Sequence, residues 1–176
     1  ANEWAGGVFR EQLLRAPEAE VARQFLAQRG VNAETAETFG LGYALPEWDA
    51  LLLRARKNGT TDKVMVAAGL ARERESRSGC YDYFRGRVIF PIHDPRGKPI
   101  AFGARKLREE DQPKFLNSPE TALFRKGSGF YGLHLAKEEF ETTKTAYIVE
   151  GYLDVIVPWQ AGVKGLIATL GTALTG

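Results

Sequence analysis

The sequence predicts an α+β fold: a helical N-terminal layer, an antiparallel hairpin or sheet beside it, and a partial α/β unit with parallel strands at the end. Three observations lead there. Over roughly the first 75 residues, short helix-like segments alternate with glycine exits. Two β-rich runs, RVIFPIH and PIAFGARKL, flank the turn residues Asp94-Pro95-Arg96-Gly97. Near the end, TAYIVEG, YLDVIVPWQAG and KGLIATLG read as strand, helix and strand, an order that pairs the two strands in parallel.

The elements follow in order. PEAEVARQFLAQRG puts Val21, Phe25 and Leu26 on one helical stripe, and Gly30 ends it. In NAETAETFGLGYA, Asn32 is the natural N-cap, acids fill the next turn, and Gly40 and Gly42 close the segment. EWDALLLRARKNG and DKVMVAAGL give two more short helices. ERESRSGCYDYFRG is polar and broken, a loop leading into the hairpin. Residues 108–129 are mostly irregular, with Pro113, Pro119, Gly127 and Gly129; a polar loop of that length usually has a function. HLAKEEFET is a short helix, and Gly103 and Gly171 mark strand exits.

Composition narrows the function classes. Apolar residues make up 44% and charged residues 26% of the 176 positions, which suits a globular chain with a real core. The single cysteine, Cys80, excludes an internal disulfide, and no Cys/His cluster has zinc spacing. There is no apolar run long enough to span a bilayer and no signal-peptide pattern, so a cytoplasmic protein without a membrane partner is expected. The net charge of +2 is small, but Arg and Lys recur through residues 85–126, as a phosphate-binding surface or as ordinary solvated charge.

The chemistry concentrates in IVEGYLDVIVPW. Glu150 ends an apolar strand, Gly151 lets the chain turn, and Asp154 falls in the first turn of the next helix. Open α/β sheets collect ligands beyond their strand carboxyl ends. Two acids held there suit Mg²⁺, which prefers oxygen ligands. The alternative is that Asp154 caps the helix while Glu150 is a solvated strand end. Pro158 falls within the same helix and lacks the N–H that would serve the Asp154 carbonyl. Arg85 and Arg87, two positions apart, can face one way, and a groove lined by them with Arg105, Lys114 and Lys126 would track a phosphate backbone; the alternative for each residue is an ordinary surface charge. Phe115, Phe124, Phe130 and Tyr131 interleave with these charges, either to stack on bases or to anchor the loop. His93 and His134 have no ligand partner at a suitable spacing and receive no role.

YDYFRGRVIFPIHDPRGKPIAFGARKL, PKFLNSPETALFRKGSGFYGL, YIVEGYLDVIVPWQAGV and ATLGTALT resemble, in that order, the RNA-polymerase core of bacterial DnaG-type DNA primases. ARQFLAQRG and FGLGYALPEWD resemble the helical subdomain of the same family, so the likeness runs from about residue 8 to the end. The resemblance implies an enzyme that reads single-stranded DNA and joins ribonucleoside triphosphates into an RNA primer for replication. It implies a division into an N-terminal subdomain, 1–143, and the first part of a Toprim domain, 144–176. Glu150 matches the glutamate of the first Toprim motif and Asp154 the acid four residues on, both expected at a Mg²⁺ or Mn²⁺ site. The template-cleft positions fall on Arg23, Arg85, Arg87, Arg105, Lys114, Asn117 and Lys126. The family's Asp-x-Asp motif would lie downstream of Gly176, its zinc-binding domain ahead of the core, and its replicative-helicase contact in a C-terminal domain. A catalytic-core fragment, inactive alone, is therefore expected. The alternatives are a single-stranded-DNA-binding module without catalysis and the Toprim part of a mobile-element primase–helicase.

Overall fold

The computed structural model describes residues 1–75, 78–127 and 129–170. Helix α1 (Asn2–Arg15) leads through a 3-10 turn (Pro17–Ala19) into α2 (Glu20–Gln28) and α3 (Ala33–Thr38). Strand β1 (Gly42–Ala44), helices α4 (Ala50–Lys57) and α5 (Asp62–Ala67), and strands β2 (Ala71–Glu73) and β3 (Cys80–Asp82) follow. The hairpin is β4 (Arg87–His93) and β5 (Pro99–Lys106), succeeded by β6 (Phe115–Asn117) and β7 (Phe130–Tyr131). The last elements are α6 (Leu133–Thr143), β8 (Tyr147–Val149), α7 (Tyr152–Gln160) and β9 (Leu166–Thr169).

Among the described residues the strands form three sheets. An antiparallel sheet has the order β1-β4-β5-β6, β2 and β3 make a separate ribbon, and β7-β9-β8 makes the third. In that third sheet β8 and β9 are parallel, as the strand–helix–strand pattern predicts, while β7 runs antiparallel to β9.

The hairpin strand β4 is the spine. Side chains of a strand alternate faces, and here both faces are covered. Val88, Phe90 and Ile92 enter a core with Leu26, Phe39, Tyr152, Val155 and Ile156. Ile89 enters a second core with Ala5, Val8, Phe9, Leu52 and Phe102. One hairpin thus joins the N-terminal helices to α7. Its turn forms as its residues predict: Asp94 Oδ1 accepts the N–H groups of Arg96 and Lys98, each at 2.9 Å, and Gly97 takes φ 80°. Asn32 likewise caps α3, its Oδ1 accepting the Thr35 N–H at 2.8 Å.

Several details differ from the sequence expectation. The first 75 residues are not purely helical, since β1 and β2 lie among them. Segments 73–86 and 108–129 contain β3 and β6, three-residue strands held by neighbours across the ladder rather than by any pattern of their own. The inner face of α2 is Ala22 and Leu26, whereas Val21 is 46% exposed. Helix α7 runs through Pro158. The strand exit assigned to Gly171 lies outside the described residues.

Candidate metal and nucleic-acid site

Strand β8 ends at Val149, and Glu150 follows as an exposed carboxylate beyond its carboxyl end. Gly151 is extended, and α7 starts one residue later. Asp154, in the first turn of α7, turns back so that its Oδ2 accepts the Gly151 N–H at 3.1 Å. An acid there also meets the positive end of the helix dipole. Glu150, Gly151, Tyr152 and Asp154 line a cleft of about 390 Å³ whose other walls include Phe115 and Asn117 of β6 and Leu170 just past β9. The two acids therefore share one cleft with Phe115 and Asn117 of β6.

Cations and rings alternate on the approach to this cleft. Phe115 is 51% exposed, with the Arg105 guanidinium 5.6 Å and the Lys114 ammonium 5.7 Å from its ring centroid. Arg105 also lies 4.6 Å from the Phe25 ring, which Arg29 approaches at 5.5 Å. Burial, and then repulsion from Arg29, lowers the pKa of Arg105. A phosphate between these two cations would relieve that repulsion.

A second polar cleft, of about 290 Å³, lies against Arg85 and Arg87, with Trp48, Tyr83 and Arg108 in its walls. Arg85 precedes β4, its guanidinium 4.2 Å from the Trp48 ring and donating to the Asp82 carbonyl. Arg87 is 5% exposed and donates to the carbonyls of Pro113 at 2.7 Å and Gln112 at 3.1 Å. Both arginines border the same cleft, but Arg87 holds the loop that leads to Lys114.

Residues 8–137 match the family described as DNA primase catalytic core, N-terminal domain, and residues 144–176 match the Toprim domain. The chain belongs to the DNA primase family. It is 45% identical to a DNA primase of Streptomyces coelicolor over 100% of this chain and 27% of that protein. It is 46% identical to one of Deinococcus radiodurans over 88% of this chain, again 27% of the relative. Among solved structures, the RNA polymerase domain of Mycobacterium tuberculosis primase DnaG, in complex with a double-stranded DNA oligomer with a 6-nucleotide overhang, superposes with TM-score 0.94. The identity there is 37%, over 99% of this chain and 54% of that one. A DnaG primase catalytic domain bound to single-stranded DNA gives TM-score 0.89 at 38% identity, over 99% of this chain and 53% of that one. The chain thus spans about a quarter of the relatives it matches and about half of those solved domains.

Of the site residues read from the sequence, the structure brings Glu150, Asp154 and Asn117 into one cleft and sets Arg105 and Lys114 beside Phe115, which forms part of its wall. Arg85 and Arg87 border the second cleft. Arg23 is apart from both: it pairs with Glu20 at 2.9 Å, donates to the carbonyls of Leu13 and Ala16, and lines an apolar groove between α1, α2 and α3. Lys126 is exposed on the loop after β6, its backbone N–H donating to Glu120 Oε1 at 3.3 Å.

Sequence reasoning missed the cluster of Trp48, Arg72, Arg74, Tyr81 and Tyr83. Arg74 lies 5.7 Å from the Trp48 ring and 5.6 Å from the Tyr81 ring, and Arg72 lies 4.7 Å from the Tyr83 ring. The signal was present: Arg72 and Arg74 alternate, as Tyr81 and Tyr83 do, which is the period of a strand.

The donor chemistry at the acid cleft fits a hard divalent cation. Glu150 offers a carboxylate and Asp154 its second oxygen, both exposed. No group of three or more His, Cys, Asp or Glu residues among the described residues is placed to hold a metal. No described helix is long and apolar enough to cross a membrane.

Proposed function

We propose that this chain is part of the polymerase core of a DNA primase, guiding single-stranded template DNA past the first acids of a Mg²⁺ or Mn²⁺ site where ribonucleoside triphosphates are joined into an RNA primer. The observation that carries this reading is the shared cleft, in which Glu150 and Asp154 face the β6 strand whose rim holds Arg105 and Lys114. A divalent ion there supplies neutralisation of charge on phosphoryl oxygens. The chain's own residues bind and orient: Arg85, Arg105, Lys114 and Lys126 offer cations to phosphates, and Phe115 offers a face to a base. Glu150 holds the metal and takes a share in proton handling at the attacking hydroxyl. Arg87 and Asn117 serve the template path through the loop and strand they fix, and Arg23 serves it from the helical layer. Residues 1–143 form the N-terminal subdomain and 144–176 the start of the Toprim domain, although β7 joins the sheet of β8 and β9 from the first of these. The remaining acids, the zinc-binding domain and the replicative-helicase contact belong to other parts of the parent protein, which acts in the cytoplasm.

A second reading, a single-stranded-DNA-binding module without catalysis, draws on Asp154, whose contact with Gly151 is a helix cap. Glu150→Gln in the full-length primase separates the two. The expected result is loss of primer synthesis with template affinity kept within about twofold, since the substitution leaves the basic rim untouched. Unchanged primer yield would remove Glu150 from the reaction and favour the binding module.

A further inference from the structure

Tyr152 does more than begin α7. Its ring drops from the acid-bearing turn into the core under β4 and β5, 8% exposed and stacked on Phe90 at 4.9 Å. Position 103 must be glycine for this to happen: a Cβ there would lie 2.2 Å from the Tyr152 hydroxyl oxygen. At the far end of the ring, Tyr152 Oη donates to Asn117 Oδ1 at 2.6 Å. Asn117 Nδ2 donates to the Leu170 carbonyl at 3.1 Å, and the Asn117 carbonyl accepts from Tyr83 Oη at 3.2 Å. Asn117 is therefore a junction, with its side-chain oxygen and one amide hydrogen committed to α7 and to the end of β9.

We propose that Tyr152 and Asn117 form a latch that sets the position of Glu150 and Asp154 relative to the Lys114–Phe115 strand, making Tyr152 a positioning residue for metal binding rather than only a core side chain. This rests on the reading of the acids as metal ligands. Glu150 is two residues from Tyr152, on a turn whose glycine leaves the backbone free. The stacked ring fixes that turn laterally, and the hydroxyl fixes its depth against β6. Removal of the hydroxyl alone leaves the ring in place while freeing the turn to shift along the cleft.

The test is Tyr152→Phe in the full-length primase, with Mn²⁺ binding followed by electron paramagnetic resonance in the absence of DNA, thermal unfolding and template affinity measured in parallel, and Glu150→Gln as the reference. The expected result is a rise in the Mn²⁺ dissociation constant of roughly three- to tenfold, the range for one neutral hydrogen bond. The magnesium concentration for half-maximal primer synthesis rises with it, and template affinity is unchanged. A variant with a lower melting temperature and an unmoved Mn²⁺ midpoint makes Tyr152 a structural residue and overturns the proposal. Should Tyr152→Phe not fold, Asn117→Ser breaks the latch from the other side and is judged by the same Mn²⁺ midpoint. If Glu150→Gln itself leaves Mn²⁺ binding intact, the metal reading fails, independently of the latch.

Discussion

The carboxylate of Asp154 accepts the backbone N–H of Gly151 at 3.1 Å, so one of its oxygens is committed to the turn that carries Glu150. A cap and a metal ligand make different demands on this side chain. Asparagine at position 154 keeps an oxygen for the Gly151 N–H but loses the negative charge, whereas alanine loses both. Asp154→Asn is therefore expected to leave unfolding stability within about 0.5 kcal/mol and to weaken Mn²⁺ binding, while Asp154→Ala costs about 1 kcal/mol as well. Urea unfolding and metal titration of the two variants check this. Full metal affinity in Asp154→Asn would reduce Asp154 to its capping role.

Arg105 and Lys114 share the Phe115 ring and stand at the rim of the acid cleft. Arg105→Ala together with Lys114→Ala is expected to weaken single-stranded DNA binding by the parent primase. The slope of log affinity against log salt should flatten by roughly 0.7 to 1 for each phosphate that the double variant no longer neutralises. Phe115→Ala should weaken binding without changing that slope, because stacking releases no counterions. Titrations at several salt concentrations separate these outcomes, and an unaltered slope in the double variant places the template path elsewhere.

The sequence carried the parts of this architecture that its own neighbours determine. The β4–β5 turn was legible because Asp94 and Gly97 act locally, and Asn32 was legible as a cap for the same reason. Parallel β8 and β9 followed from the strand–helix–strand order. The three-residue strands β1, β3 and β6 were not legible, since each is too short to show a period and takes its conformation from its partner in the ladder, distant in sequence for β1, where Gly42 pairs with Ile89, and nearer for β3 and β6. Glu150 was legible as a strand-end acid, but its cleft was not. The walls at Phe115 and Asn117 arrive through packing of Tyr152 against Phe90 and Gly103, which no spacing records. Nor does the spacing of Arg85 and Arg87 disclose that the second is buried under a loop.

One buried group and one half-buried group make the chain's stability depend on pH in opposite directions. Asp82 accepts the Leu51 N–H at 2.7 Å and the Leu52 N–H at 3.0 Å at the start of α4, yet burial outweighs these bonds and raises its pKa to about 6. Its folded value lies above the unfolded value, so this contribution is present at low pH and is lost as pH rises through about 4 to 6. His93, packed on His134 with ring centroids 4.2 Å apart, is lowered to about 4 by burial and then by that neighbour. Its folded value lies below the unfolded value, so its contribution is present above about 6.5 and is lost as pH falls towards 4. The two effects partly cancel in the wild type. Asp82→Asn is expected to increase the stability at pH 7 relative to pH 4.5 by about 2 kcal/mol, and His93→Gln to decrease it by a similar amount. Urea unfolding at the two pH values measures each difference, and equal pH responses in wild type and variant would remove that group from the account.

Arg87 distinguishes a residue that touches nucleic acid from one that shapes the surface that does. It is nearly fully buried, and its guanidinium grips the carbonyls of Gln112 and Pro113, the two residues before Lys114. Methionine fills similar volume but donates nothing, so Arg87→Met leaves both carbonyls without that donor, a cost of about 1–3 kcal/mol where water does not replace it. The loop over residues 107–113 should then become a protease-sensitive site. Lys114 would be presented over a wider range of positions, and template affinity should fall at every salt concentration by a similar factor. Because a loop-holding arginine releases no counterion on binding, the salt slope should stay at the wild-type value even though a positive charge has been deleted. Lys114→Ala, which deletes a charge in direct reach of phosphate, should lower it. If Arg87→Met flattens the slope as much as Lys114→Ala does, then Arg87 leaves its carbonyl partners to meet phosphate directly, and the loop is remodelled when template binds.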